Sequence, residues 1–391
     1  ADKMDSLLTV WVPGRAPQVP SGRLGRVLEK ALDGLSFRLA DTETLCRQKG
    51  PGPVLFCLPL DANGLNPDYF SLLAALRGRT IGADTETYLR ALGYYRSLPR
   101  EQILGAKLVY PFDFEIGYFM LTKLCAWLGI SDPVFLLIIA ALIYIPLFRA
   151  IYERSDMPYL SILVYFGMGL FAYSLGIFRQ LIAMSIVLSG IYCIEERRFC
   201  RFLIYIGFAM LFHTTAFVVL PLYFLGRLNT RKWAAVIFTG ELGLLVLGRP
   251  VVMLLVKAFP RYARYVGSMY DIQGGTYTML ILLTAVLVMG LIADSRKNAP
   301  SRPNRLLLNA MVMAVWLQAI SYSMEVAGRL VIYYSMFMIF LIPQLIESFF
   351  KGKDRWIAML LVGLCFLLLA CLNLHGNGYV SPYYFFWQSI N

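Results

Sequence analysis

From about residue 116 the chain is a succession of apolar runs separated by short, mostly basic breaks. A helix needs about 20 apolar residues to cross a bilayer. By that measure 134–152, 157–175, 177–194, 233–250, 277–293, 306–323, 330–347 and 356–373 read as spans. The stretch 201–226 reads either as one long span or as two short helices turning near His213. The stretch 116–130 is shorter, follows Glu115, and reads as re-entrant or surface-lying. The pattern predicts an all-α, polytopic membrane bundle of roughly 9–11 transmembrane or re-entrant helices with loops on its outer face.

Residues 1–70 are of another kind. Pro and Gly punctuate them (Val12-Pro13-Gly14, Pro51-Gly52-Pro53), and their one apolar run, Val54–Leu60, is too short to span. Residues 22–40 fit one amphipathic helix. The division expected is therefore an atypical N-terminal segment, 1–70, and a membrane domain, 71–391.

Composition agrees. Of 391 residues 58% are hydrophobic and 15% charged, against about 25% charged in soluble chains. That argues against a soluble enzyme, a secreted disulfide scaffold and a disordered chain. The seven cysteines show no CxxC spacing and read as small apolar residues. The net charge of +12 is nearly all in residues 116–391, which carry 22 of the 36 Lys/Arg and 11 of the 24 Asp/Glu. Basic residues beside apolar runs set orientation, so this excess is no sign of nucleic acid.

Four basic breaks mark cytoplasmic loops: Arg197, Arg198 and Arg201; Arg227, Arg231 and Lys232; Arg296, Lys297, Arg302 and Arg305; Lys351, Lys353 and Arg355. For the first two to share a side, 201–226 must cross an even number of times, which favours a hairpin with His213 near its outer tip. The same parity puts Arg179, Ser131–Asp132 and Arg329 outside, with Glu115 unless 116–130 crosses. The 251–276 loop, also outer, breaks the rule with Lys257, Arg261 and Arg264 among aromatic residues. It reads as a headgroup anchor or as a cationic surface for an anionic substrate.

Ionisable groups against membrane spans are costly and mark functional sites by default. Five collect on the expected outer face: Asp84, Glu115, Arg179, His213 and Arg329. Arg179, opening a span, either snorkels to the interface or grips a diphosphate with its planar fork of donors. His213 is either a helix-capping histidine or a proton acceptor. Asp84 either N-caps the next helix or serves as a base, and Glu115 is either comfortable at a helix start or a base in a partly apolar pocket. Two distant histidines without an acidic cluster give no metal signal. No GxxxxGK[ST], GxGxxG or HExxH occurs, so any chemistry works on substrates that arrive activated, without metal or cofactor.

These residues, in this order, resemble the EpsG family of Wzy-like polysaccharide polymerases. The landmarks are Leu76-Arg77-Gly78-Arg79-Thr80-Ile81-Gly82-Ala83-Asp84-Thr85 with Tyr88, then Phe114-Glu115-Ile116-Gly117-Tyr118 and Arg179-Gln180-Leu181-Ile182-Ala183. Phe212-His213-Thr214-Thr215-Ala216 before Leu220-Pro221-Leu222 follows, then Arg329 with Tyr333-Tyr334, Ile342-Pro343 and Val380-Ser381-Pro382-Tyr383. The resemblance covers roughly residues 70–391. Members usually begin with a span just before the first landmark, and 1–70 holds no adequate one, so a truncated, misread or replaced start is expected.

The resemblance implies a multi-pass glycosyltransferase of the bacterial cytoplasmic membrane, joining undecaprenyl-diphosphate-linked oligosaccharide repeat units at its outer face for exopolysaccharide, capsule or O-antigen. Partners would be the lipid-linked oligosaccharide, the bilayer, and the flippase and chain-length regulator of the pathway, with no nucleic acid. Glu115, His213 or Asp84 would take the acceptor proton. Arg179, Gln180, Arg329, Arg77, Arg261 and Arg264 would hold diphosphate or glycan. An O-antigen ligase-like transferase would share the donor. A non-enzymatic flippase would instead show inverted repeats and ionisable groups along the spans; no obvious repeat is present.

Overall fold

The computed structural model describes residues 60–61, 64–65, 74–107, 112–258, 260–268, 271, 277–375, 380–381 and 383–386. The helix expected over 22–40 lies outside them. Leu60–Asp61 and Gly64–Leu65 form a two-residue antiparallel pair. The rest of the regular structure is helical: α1 Thr85–Ser97, α2 Ile116–Trp127, α3 Asp132–Arg154, α4 Pro158–Gly167, α5 Phe178–Gly190, α6 Phe199–Met210, α7 Ala234–Ala258, α8 Thr278–Ser295, α9 Arg305–Ser321, α10 Gly328–Ser335, α11 Met338–Phe349 and α12 Gly352–His375.

Among the described residues five helical segments are long and apolar enough to cross a membrane: α3, α5 extended to Glu195, α7, α8 and α12. The pair α10 and α11, bent by 46°, makes a sixth as one broken span. Shorter apolar helices fill in between: α4, α6, Thr214–Leu225 and α9. The bundle is thus all-α and polytopic. Its outward sides suit lipid. Val246 of α7 and Leu360, Leu364 and Leu368 of α12 are exposed, and a water-soluble surface has little room for such rows.

Helix α5 is the axis of the bundle. It packs against α3 and α6, while α9 packs against α7, α8 and α10, and α4 lies between α11 and α12. At the far end of α5 the basic breaks are tied together. Arg227 Nη2 donates to the Ile194 carbonyl at 3.2 Å, Asn304 Nδ2 to Glu195 Oε1 at 3.1 Å, and Arg296 Nη1 to the Ser348 carbonyl at 3.2 Å. All four basic breaks therefore sit at one end. Arg179 sits at the other, an 18-residue helical stretch away, which is about 27 Å at 1.5 Å per residue.

Two expected spans take different forms, and the stretch 201–226 takes the hairpin form that parity favours. The run 157–175 is broken: α4 stops at Gly167, and a short helix, Leu170–Ser174, starts after Gly169. Gly169 has φ +72, a left-handed conformation that glycine adopts without the Cβ penalty. Asn373 Nδ2 satisfies the freed Gly167 carbonyl at 2.8 Å. The run 330–347 is bent between Ser335 and Met338. The run 201–226 is a hairpin. Helix α6 ends at Met210, His213 is extended (φ −153, ψ 113), and the chain returns through Thr214–Val219 and Pro221–Leu225. Helix α2 has 12 residues, too few to cross.

Candidate functional site

The site is built where three chain reversals meet the start of α5. Arg179 is in the first turn of α5, an end where the helix dipole disfavours a cation, so its place depends on its partners. Its Nη1 donates to Glu115 Oε2 and, at 3.1 Å, to the Asp113 carbonyl; its Nε donates to Tyr88 Oη at 3.4 Å. Its guanidinium lies 5.2 Å from the centre of the Phe114 ring and 6.0 Å from that of Tyr88. Aromatic faces attract such a cation.

Glu115 occupies the N-cap of α2 without capping it. Its carboxylate serves tertiary partners instead. While Oε2 takes Arg179, Oε1 takes His213 Nδ1 at 3.1 Å, the Thr214 N–H at 3.1 Å and the Thr214 hydroxyl at 3.3 Å. Burial pushes this carboxyl up, but the His213 hydrogen bond, the Arg179 charge and the Thr214 N–H outweigh it and hold it at about 2. Glu115 is therefore a fixed anion across the physiological range. Its side chain is 9% exposed, against 21% for Arg179 and 16% for His213, so the trio stands in a shielded but reachable place.

The approach of α2 to the hairpin has a local cause. The Gly117 N–H donates to the Leu211 carbonyl at 2.8 Å, across the hairpin turn. A Cβ on Gly117 would lie 2.7 Å from that oxygen. Only glycine lets the two backbones come this close, and the contact delivers His213 to Glu115.

Tyr88 links α1 to the trio. Its ring stacks on Phe178 at 4.6 Å and meets Tyr118 at 5.1 Å. Burial pushes its hydroxyl up, with Arg179 pulling down and Asp84 pushing up, so it stays a neutral O–H next to both charges. Asp84, half-buried at the N-cap of α1, makes no capping bond. The helix start is fixed instead by Thr85, whose hydroxyl reaches the Ile81 carbonyl at 2.7 Å and the Leu175 carbonyl at 2.9 Å. With Asp84 one helical turn before Tyr88, Glu115, Arg179 and His213 gather around Tyr88 and Thr214. Sequence reasoning assigned neither of these two a role. Their only signals were position, four residues after Asp84 and next to His213.

The remaining expected residues stand elsewhere. Gln180 is buried, and its Nε2 donates to the Arg329 main-chain carbonyl at 2.6 Å. Arg329 itself is exposed in the first turn of α10. Arg77 is buried against Phe178, 4.8 Å from the ring centre. Arg261 and Arg264 fall on the 3₁₀ turn Pro260–Tyr265; their side chains lie outside what the structure describes. That loop is tied down by Asp271, which takes Arg249 Nη2 at 2.8 Å and the Gly267 N–H at 2.8 Å. Those two contacts hold its carboxyl at about 2.

Chemically, the arrangement offers a histidine oriented by a fixed carboxylate, an arginine on the same carboxylate, and a neutral phenol between them. Among the described residues no three His, Cys, Asp or Glu side chains form a metal-holding group. Comparison with family models matches residues 69–385 to the EpsG family. No curated protein and no solved structure matches the chain.

Proposed function

The chain belongs to the EpsG family, and from that premise we propose that it is a polysaccharide polymerase. It would join undecaprenyl-diphosphate-linked repeat units at the outer face of the bacterial cytoplasmic membrane, the face opposite the gathered basic loops. The flippase and chain-length regulator of the same pathway would supply and limit the substrate. The observation that carries this reading is the shared carboxylate: Glu115 binds Arg179 through one oxygen and His213 through the other.

In the proposed step an acceptor-sugar hydroxyl attacks the anomeric carbon of the growing chain. The new C–O bond forms as the bond from that carbon to the lipid diphosphate breaks. Glu115 accepts a hydrogen bond from His213 Nδ1–H, which fixes the tautomer and leaves Nε2 to take the hydroxyl proton. Glu115, held near 2, is too weak a base for that task and acts by orienting His213 and stabilising the imidazolium. The electron pair leaves with undecaprenyl diphosphate. Arg179 has Nη2 free of hydrogen bonds among the described residues, and with exposed Arg329 it would meet the charge developing on the leaving oxygens. Asp84, with no capping bond, would accept sugar hydroxyls.

An Arg179→Lys chain, matched for membrane level, tests the diphosphate grip. Lys keeps the charge but lacks the planar fork that serves Glu115, Tyr88 and substrate together. Shortened polymer is expected, and normal polymer length would refute the grip.

A further inference from the structure

Arg77 stands outside the Glu115 cluster, yet it is a buried cation. It is 2% exposed, it donates from Nη1 to the Ala74 carbonyl, and its Nε and Nη2 have no partner among the described residues. Burial pulls the guanidinium down only to about 10, so it is charged at neutral pH. A buried charge is costly unless something compensates it. What meets it is the Phe178 ring, whose centre is 4.8 Å away. A cation is held more strongly by an aromatic face when both are out of water, and Phe178 is fully buried.

The same ring carries part of the site. Phe178 stacks on Tyr88 with ring centres 4.6 Å and planes 24° apart. Tyr88 Oη in turn accepts from Arg179 Nε at 3.4 Å. A hydrogen bond of that length weakens quickly with any further shift or tilt, so it depends on how the phenol is held. Phe178 and Arg179 are consecutive residues in the first turn of α5. An apolar side chain at position 77 would fill the same space without the cost of desolvation. What the charge adds is a fixed orientation for the Phe178 ring and for the tyrosine stacked on it.

Arg77 is itself held from the far end of the chain. The Phe386 N–H donates to the Leu76 carbonyl at 2.9 Å, and the Gly78 N–H donates to the Tyr384 carbonyl at 2.8 Å. Arg77 and Phe385 form the antiparallel bridge between these two bonds. The approach is close enough that a Cβ on Gly78 would run into the Tyr384 ring. Further along the same segment, the Thr85 hydroxyl is bound to the Leu175 carbonyl ahead of α5 at 2.9 Å. The guanidinium is thus clamped at a set place beside Phe178.

We propose that Arg77 is a positioning residue: clamped by the 383–386 segment, it fixes the Phe178–Tyr88 stack and, through it, the Tyr88 hydroxyl that aligns Arg179. Its effect on turnover rests on the polymerase reading; its effect on Tyr88 does not.

The test replaces Tyr88 by 3-fluorotyrosine in the full chain, in uncharged detergent, and records its fluorine resonance. The Arg179→Ala chain gives the resonance of this phenol without its arginine. Arg77→Met should move the wild-type resonance toward that position. Arg77→Gln, which keeps a donor for the Ala74 carbonyl, should do the same and guards against misfolding of Arg77→Met. Arg77→Lys, which keeps a cation for the ring, should restore most of the wild-type position. A resonance unmoved by both neutral variants, or moved as far by Lys as by Met, overturns the proposal. Polymerisation gives a second readout. Arg77→Met should slow it severalfold in the wild-type background and add little in the Tyr88→Phe background, because both changes act through one bond. Losses that multiply are those of a merely structural residue and overturn the proposal. A wild-type chain that makes no polymer refutes the polymerase reading and leaves the fluorine resonance to decide the role of Arg77.

Discussion

Glu115 and His213 are 98 residues apart in sequence, and their side chains meet at 3.1 Å because α2 and the hairpin turn share a backbone hydrogen bond at Gly117. The same carboxylate holds Arg179. A single group therefore sets the orientation of the candidate base and of the candidate diphosphate grip.

Replacing Glu115 by Gln should be the most damaging single change. It leaves Arg179 shielded without its counter-charge, a loss of about 3 kcal/mol or more when one partner of a buried pair goes. It also leaves one acceptor oxygen where Arg179 and His213 now use two, and turns a donor NH2 toward one of them. Polymer formation should fall by about 10² or more, and the unfolding temperature in detergent should drop. Full activity from Glu115→Gln would contradict the shared-carboxylate account.

The same residue sets a pH dependence. In the folded chain its carboxyl is held at about 2, below the ordinary value of 4.5. A depressed value means the stabilisation is fully present above about pH 4.5 and is lost as pH falls toward 2. Thermal unfolding of the wild type should weaken between pH 5 and pH 2.5 more steeply than that of Glu115→Gln. Parallel curves would show that this carboxyl is not held low.

Tyr88→Phe keeps the ring stack on Phe178 and removes the oxygen that accepts from Arg179 Nε. Stability should change by about 1 kcal/mol, the net worth of one hydrogen bond. The rate should fall more than that, because Arg179 loses its alignment. A rate equal to wild type would confine Tyr88 to packing.

Gly117→Ala puts a Cβ 2.7 Å from the Leu211 carbonyl. Neither backbone can yield cheaply, so a cost of about 1–3 kcal/mol is expected. Activity should fall with it as Glu115 moves away from His213. An unchanged unfolding temperature would show that the α2–hairpin contact is loose.

Most of the helices were legible from hydropathy, because a lipid-facing span is written in its own residues. Helices α3, α7, α8 and α12 coincide closely with the apolar runs at 134–152, 233–250, 277–293 and 356–373. The hairpin at His213 was legible by parity, since basic breaks on both sides must share a face. The interruptions were not. Around Gly167–Gly169 the run stays apolar, and the break depends on a turn at Gly169 and on Asn373, some 200 residues later, capping the loose carbonyl. The bend after Ser335 leaves equally little trace in composition.

The candidate site was half legible. Charges on an apolar background marked Glu115, Arg179 and His213, and the structure places them in contact. Tyr88 went without a role because a tyrosine in an aromatic neighbourhood looks like core. Gln180 looked available in the first turn of a span, yet its amide braces the Arg329 backbone. Which face of a helix turns inward depends on its neighbours, and that information lies outside the helix's own sequence.

The most direct measurement is polymerisation by the purified full chain in liposomes carrying undecaprenyl-diphosphate-linked repeat units, wild type against His213→Ala. The account expects the wild type to yield a ladder of products with one undecaprenyl diphosphate released per linkage. It expects His213→Ala to be slower by about 10² or more, a loss well beyond the roughly 1 kcal/mol of stability that goes with its hydrogen bond to Glu115. A His213→Ala chain that builds the ladder at the wild-type rate, or a wild-type chain that builds none, would contradict it.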